Sequence, residues 1–252
     1  MRARAIAAAA ALIVTTGSAH AAEIDAMITT AMKAAVDELA PPFERASGHV
    51  LRITYGPSGG LARHLNAGEA ADLVVVDSKA LDELIKQGKV VGGRTDVART
   101  GIGIAVRRGA PKPDVSSPEA LKRALLAAKS IAHTAPAGGG VTAAHVMGVF
   151  EKLGIAAEVT PKVKLAAGGP DGRVSVLVSS GEAEIGLQQV SELMSNPQVE
   201  VIGMLPAELQ QMTTYSAGTT TGARQMEAAQ ALIRHLAAPA VMTIYKTKGL
   251  AL

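Results

Sequence analysis

The sequence predicts an α/β fold, and three observations lead to it. Short apolar runs alternate with helix-patterned segments along the chain. One run, residues 73–76, is continuously apolar, as in a strand buried on both faces of a parallel sheet. Clusters of Ser, Thr and Gly recur where a strand gives way to a helix. In open α/β sheets ligands sit at such junctions, beyond the carboxyl ends of the strands.

The chain opens with Met1-Arg2-Ala3-Arg4, then an apolar run over 5–14, then Ala19-His20-Ala21. A basic start, an apolar centre and an A-x-A site in that order predict a secretory leader over 1–21. The run is shorter than the ~20 apolar residues that span a bilayer. The expected product is soluble and starts at Ala22. The 252 residues hold 25 Lys+Arg and 22 Asp+Glu, and without Arg2 and Arg4 the net charge is +1. That balance gives no argument for nucleic acid. There is no cysteine, which excludes disulfides, thiol catalysis, cysteine-ligated metal and a lipid-attachment residue after the leader. The aromatics are Phe43, Phe150, Tyr55, Tyr215 and Tyr245, too scattered for a stacking platform.

Residues 24–29 form a short apolar segment, and 32–46 read as a helix with Val36, Leu39 and Phe43 on one face, kinked at Pro41-Pro42. A strand over 51–55 precedes the turn Pro57-Ser58-Gly59-Gly60 and a helix over 61–67. A helix over 80–87 follows the apolar run and stops at Gly88. Residues 102–106 read as a strand, and Ser117-Pro118-Glu119 starts a helix with a cap and a first-turn proline. Further strands fall at 131–133, 162–165, 185–188, 199–204 and 213–217, and helices at 141–153, 171–180, 190–194, 226–237 and 239–246.

Four junctions stand out: Thr29-Thr30-Ala31, 57–60, 135–142 and Gly168-Gly169-Pro170. Unpaired N–H groups and the dipole at a helix start suit an anion. Glycine permits close backbone approach, and hydroxyls add uncharged donors. Helix capping accounts for Ser, Thr and Gly at a single junction, but less well for the triple glycine 138–140. No lysine of a phosphate-loop motif accompanies it, which disfavours a nucleotide. His49, His64, His133, His145 and His235 show no zinc-helix spacing. No metal or other cofactor is expected. Ser58 lacks a nucleophile elbow, so no catalytic residue is assigned. Asp77 reads as a helix cap. Arg63 and Arg173 follow ligand turns and suit either an anion contact or a solvated helix face.

The stretch from Tyr55 through Ser58-Gly59-Gly60 to Leu65, followed by 68–73 with its Ala71-Asp72-Leu73, resembles the second ligand loop of the molybdate-binding family. Residues 183–186 and 188–193 resemble the later part of that family. The resemblance implies a periplasmic binding protein of an ABC importer with the two-lobed type II fold. It implies one lobe from 22–106 plus 208–252, a second from 107–207, and a hinge of two crossovers. Three positions depart from the family pattern: Ala31 replaces a ligand serine, Gln188 and Gln189 stand near an expected tyrosine, and 135–142 is richer in glycine. The anion is therefore open among molybdate, tungstate, a phosphate-like group and a carboxylate.

The expected site takes Thr29, Thr30, Ser58 and Gly59 from the first lobe, and Gly138, Gly139, Gly140, Thr142 and Gln188 from the second. The expected function is anion binding by a periplasmic monomer, without chemistry, for delivery to an ABC permease with its cytoplasmic ATPase. The alternative is an exported hydrolase acting on a small phosphorylated or acylated substrate.

Overall fold

The computed structural model describes residues 21–138, 141–169 and 173–252. Residues 1–20, where the sequence predicts a leader, Gly139, Gly140 and residues 170–172 lie outside the described residues. β1 (Glu23–Thr29) passes through a 3-10 turn (Thr30–Met32) into α1 (Lys33–Ser47). Next come β2 (Val50–Gly56), α2 (Ser58–Asn66), β3 (Leu73–Asp77), α3 (Ser78–Lys86), β4 (Val90–Thr100) and β5 (Ile102–Arg107). These are followed by α4 (Pro118–Ala127), β6 (Ile131–Thr134), α5 (Val141–Lys152), α6 (Ala156–Val159) and β7 (Val163–Ala166). The chain then forms α7 (Val174–Ser180), β8 (Ile185–Gln189), α8 (Val190–Met194), β9 (Val199–Met204), β10 (Thr213–Thr220), α9 (Met226–Leu236) and α10 (Met242–Thr247).

The strands make two five-stranded sheets, β2-β1-β3-β10-β4 and β7-β6-β8-β5-β9. The fold is α/β and two-lobed. In each sheet one strand opposes the other four: β10 in the first and β5 in the second. The crossovers give the reason for these two reversed strands. β4 ends on the same side as the carboxyl ends of β1 and β3, and a single residue, Gly101, separates it from β5. With no helix to carry the chain back, β5 enters the second sheet from that side and runs away from it. The same happens in reverse between β9 and β10. Residues 102–106, which the resemblance put in the first lobe, thus pair with β8 and β9 in the second sheet.

β3 shows the two-sided burial that its apolar run implies. Leu73 and Val75 join the core shared with α1 and α9, while Val74 and Val76 join the core shared with α2 and α3. The second sheet is likewise covered on both faces, by α4 and α5 on one and by α7 on the other. Gly186 on β8 allows the close approach of α7, because a Cβ there would lie 2.6 Å from Val178 Cγ2 and 2.7 Å from Val174 Cγ1.

Several local signals act as read. Ser117 Oγ accepts from Ala120 N–H, and Asp77 Oδ1 accepts from Ala80 N–H at 3.1 Å, so both are helix caps. Others differ. α1 runs through Pro41 and Pro42 as one helix. The long strand β4 went unread because Gly92-Gly93 and a run of exposed residues hide any period. α7 begins at Val174, and the expected start at Asp171 lies outside the described residues. Asp72, 1% exposed, accepts from the N–H groups of Arg224 (2.7 Å) and Gln225 (2.9 Å) with one oxygen, and from Asp25 (2.9 Å) with the other. It thereby ties β1, β3 and the start of α9 together.

Candidate functional site

The carboxyl ends of β1, β2, β6, β7 and β8 converge where the two sheets face each other. The first sheet's side contributes Thr29, Thr30, Ala31, Pro57, Ser58 and Tyr215. The second contributes Thr134, Val141, Thr142, Gly168, Gly169, Gln188, Gln189 and Glu192. The cavity between them is narrow, about 30 Å³, room for two or three waters at ~10–15 Å³ each. The walls touch at its rim, where a Cβ on Gly168 would sit 3.4 Å from Pro57 Cγ.

Five of the sequence-predicted residues meet here: Thr29, Thr30, Ser58, Thr142 and Gln188. Gly59 is not among the described lining residues, Gly138 is described in its backbone alone, and Gly139 and Gly140 lie outside the described residues. Arg63 is exposed on α2. Arg173 directs Nη1 to Ser195 Oγ at 2.5 Å. His133 is buried with its ring edge-on to Phe150 and Nδ1 2.8 Å from the Thr134 carbonyl, a core position rather than a lining one. Burial lowers its pKa, so the ring stays neutral.

The hydroxyls are positioned by backbone. Ser58 Oγ accepts from Asp77 N–H at 3.0 Å and donates to Thr29 Oγ1 at 3.3 Å, which holds three strand ends in register. Gln188 Oε1 accepts from Val174 N–H at 3.1 Å. Gln189 reaches from the second sheet to Thr213 Oγ1 of the first at 3.0 Å, and to Thr142 Oγ1 at 3.4 Å. Two buried atoms of the lining residues, Thr30 Oγ1 and Gln189 Oε1, have no hydrogen-bond partner. Such groups are costly unless a partner arrives.

Glu192, Gln189 and Tyr215 were missed as site residues. Burial pushes the Glu192 carboxyl up to about 7, against the pull of Arg173 and of a hydrogen bond from Gln188. Burial also pushes the Tyr215 phenol far up, with Glu192 and Asp77 adding to the effect, so it remains a donor. Among the described residues no group of His, Asp and Glu is arranged to hold a metal ion, and none of the described helices is long and apolar enough to cross a membrane.

Two facing sheets with a polar cavity at their strand ends define a two-lobed binding-protein fold. The chain matches the family of bacterial extracellular solute-binding proteins over residues 24–251, and it belongs to that family. It is 34% identical over 221 residues to an aconitate isomerase of Pseudomonas sp, covering 85% of this chain and 82% of the relative. It is 26% identical over 235 residues to the molybdate-binding protein ModA of Azotobacter vinelandii, covering 92% and 91%. A solved periplasmic molybdate-binding protein of Azotobacter vinelandii superposes with a TM-score of 0.72 at 20% identity, covering 90% of this chain and 98% of that one.

Proposed function

We propose that this chain is the periplasmic solute-binding component of an ABC importer, and that it takes a small anion between its lobes. The observation that carries this reading is the cavity itself. Uncharged hydroxyls and amides from both sheets converge there, and the Thr30 hydroxyl has no partner of its own. An oxygen-rich anion accepts from such donors at little cost in charge burial. The lobes, about 22–100 with 213–252 and 102–204 on the sheet pairing, part to admit it and close by hinge motion at the two crossovers. The molecule works as a monomer and hands its closed form to the permease and its cytoplasmic ATPase.

A second reading has its own observation. Glu192 is a cavity carboxyl that titrates near neutrality, the property wanted in a group that moves protons, and a 34% identical relative is an aconitate isomerase. On this reading the carboxylate takes a proton from one carbon of an unsaturated tricarboxylate. The double bond shifts, and the proton returns to another carbon.

A thermal-shift panel of molybdate, sulfate, phosphate, citrate and trans-aconitate separates the readings. A bound anion at 100 times its Kd raises stability by about 2.7 kcal/mol, and importer duty predicts the bound compound comes back unchanged. Turnover of trans-aconitate, followed by proton NMR, supports the isomerase instead. No shift with any anion contradicts both.

A further inference from the structure

Glu192 is the acidic residue of the cavity lining, and Arg173 is the cation that acts on it. We propose that Glu192 is a ligand contact and that the cleft binds its anion together with one proton, shared between this carboxyl and the ligand. The inference rests on the anion reading of the cleft.

The geometry comes first. α8 follows directly on β8, so Gln188, Gln189 and Glu192 are delivered to the same wall of one narrow cavity. An anion among Thr29, Thr30, Ser58 and Thr142 would lie within a few ångströms of the carboxyl. Two like charges that close, in a space with little water, repel strongly. The surroundings offer little relief. β8 adds only the neutral Gln188 and Gln189, and the 3-10 turn packed on α8 adds Thr30, Ala31 and Met32. From β10 comes the Tyr215 phenol, with Asp77 beyond it at the end of β3. On β9, Glu200 is committed to Lys112 at 2.5 Å, and Arg107 at the far end of β5 is exposed. The segment at Gly249 touches Ser191 and Met194, and its neighbour Lys248 is paired with Glu38 at 2.8 Å. The cation felt by Glu192 is Arg173, part of whose guanidinium is spent on Ser195. Arg173, whose buried Nε has no partner, offsets part of the repulsion, and a proton removes the rest. The carboxyl already titrates at about 7 without ligand, so the proton is available near neutrality. The proton count is the same whichever oxygen carries it.

The linkage has a definite sign. Below pH 7 the free protein already holds the proton, and affinity is flat. Above it, binding must take up a proton, and affinity falls about tenfold per pH unit. In the free protein, stability from this group is full below the ordinary carboxyl value of 4.5 and is lost as pH rises through about 7.

The test uses sulfate and molybdate, neither of which titrates near neutrality, with the wild-type protein and Glu192→Gln. Affinity is measured by calorimetry or thermal shift on both sides of pH 7. The expected result is a tenfold loss per unit above pH 7 in the wild type and a flat profile in Glu192→Gln. A second measurement needs no variant. Wild-type binding heats at about pH 8, in two buffers of different ionisation enthalpy, are expected to show uptake of close to one proton per anion. Equal pH slopes in the two proteins, or no proton uptake, would overturn the proposal. If neither anion binds either protein at any pH, the anion reading of the cleft fails and takes this proposal with it.

Discussion

Replacing Asp72 with alanine is expected to remove about 3–5 kcal/mol of folding stability. The side chain is 1% exposed and accepts from three backbone N–H groups, those of Asp25, Arg224 and Gln225. Alanine leaves all three without a partner in a place where water does not reach easily. It also removes the acceptor at the start of α9, whose N-cap residue Gln225 makes no side-chain cap of its own. Scanning calorimetry is the direct check, with a fall in melting temperature of ~10 °C or more expected. A change of a degree or two would mean that these amides find water, and that Asp72 does not hold the first sheet to α9.

Leu121→Ala is the matching experiment in the other half of the molecule. Leu121 lies on α4, is 0% exposed, and packs in the core with Leu125, Val146 and Ile185. Truncation leaves a cavity under a helix fixed by Ser117 and Pro118, with little scope for collapse, and is expected to cost about 2–5 kcal/mol. Asp72 stands at the start of β3 in the first sheet, and Leu121 lies in the core of the second. If the halves unfold separately, Asp72→Ala lowers one calorimetric transition and Leu121→Ala the other. Urea denaturation followed by circular dichroism gives the same comparison at constant temperature.

What the sequence disclosed depended on how local each signal was. The apolar run of β3, the Ser117-Pro118 helix start and α8 are specified by neighbours a few residues apart, and they stand where read. β4 is an edge strand with both glycine and exposed polar positions, so its partner β10, more than a hundred residues away, is what makes it a strand. The reversed strands β5 and β10 follow from the crossovers, which no local pattern encodes. The site divides in the same way. Thr29, Thr30, Ser58 and Thr142 could be found because hydroxyls at strand–helix junctions are visible as such. Glu192 could not, since a glutamate on a short helix usually faces water. Only the docking of α8 against the 3-10 turn after β1 turns it inward. Tyr215 was hidden because β10 joins the first sheet from the far end of the chain. His133 pointed the other way: it sits beside the lining residue Thr134, yet its ring belongs to the core with Phe150.

The central claim is that one anion is held by both halves at once. Its most direct test is titration calorimetry on Ser58→Ala and Thr142→Val, using whichever anion of the thermal-shift panel stabilises the wild type most. Ser58 and Thr142 stand on opposite walls of the cavity. The account predicts that each substitution alone weakens that anion about tenfold or more, equivalent to ~1.4 kcal/mol for each lost contact. Wild-type affinity in either variant would contradict it, because the anion would then rest on one half of the molecule or on neither.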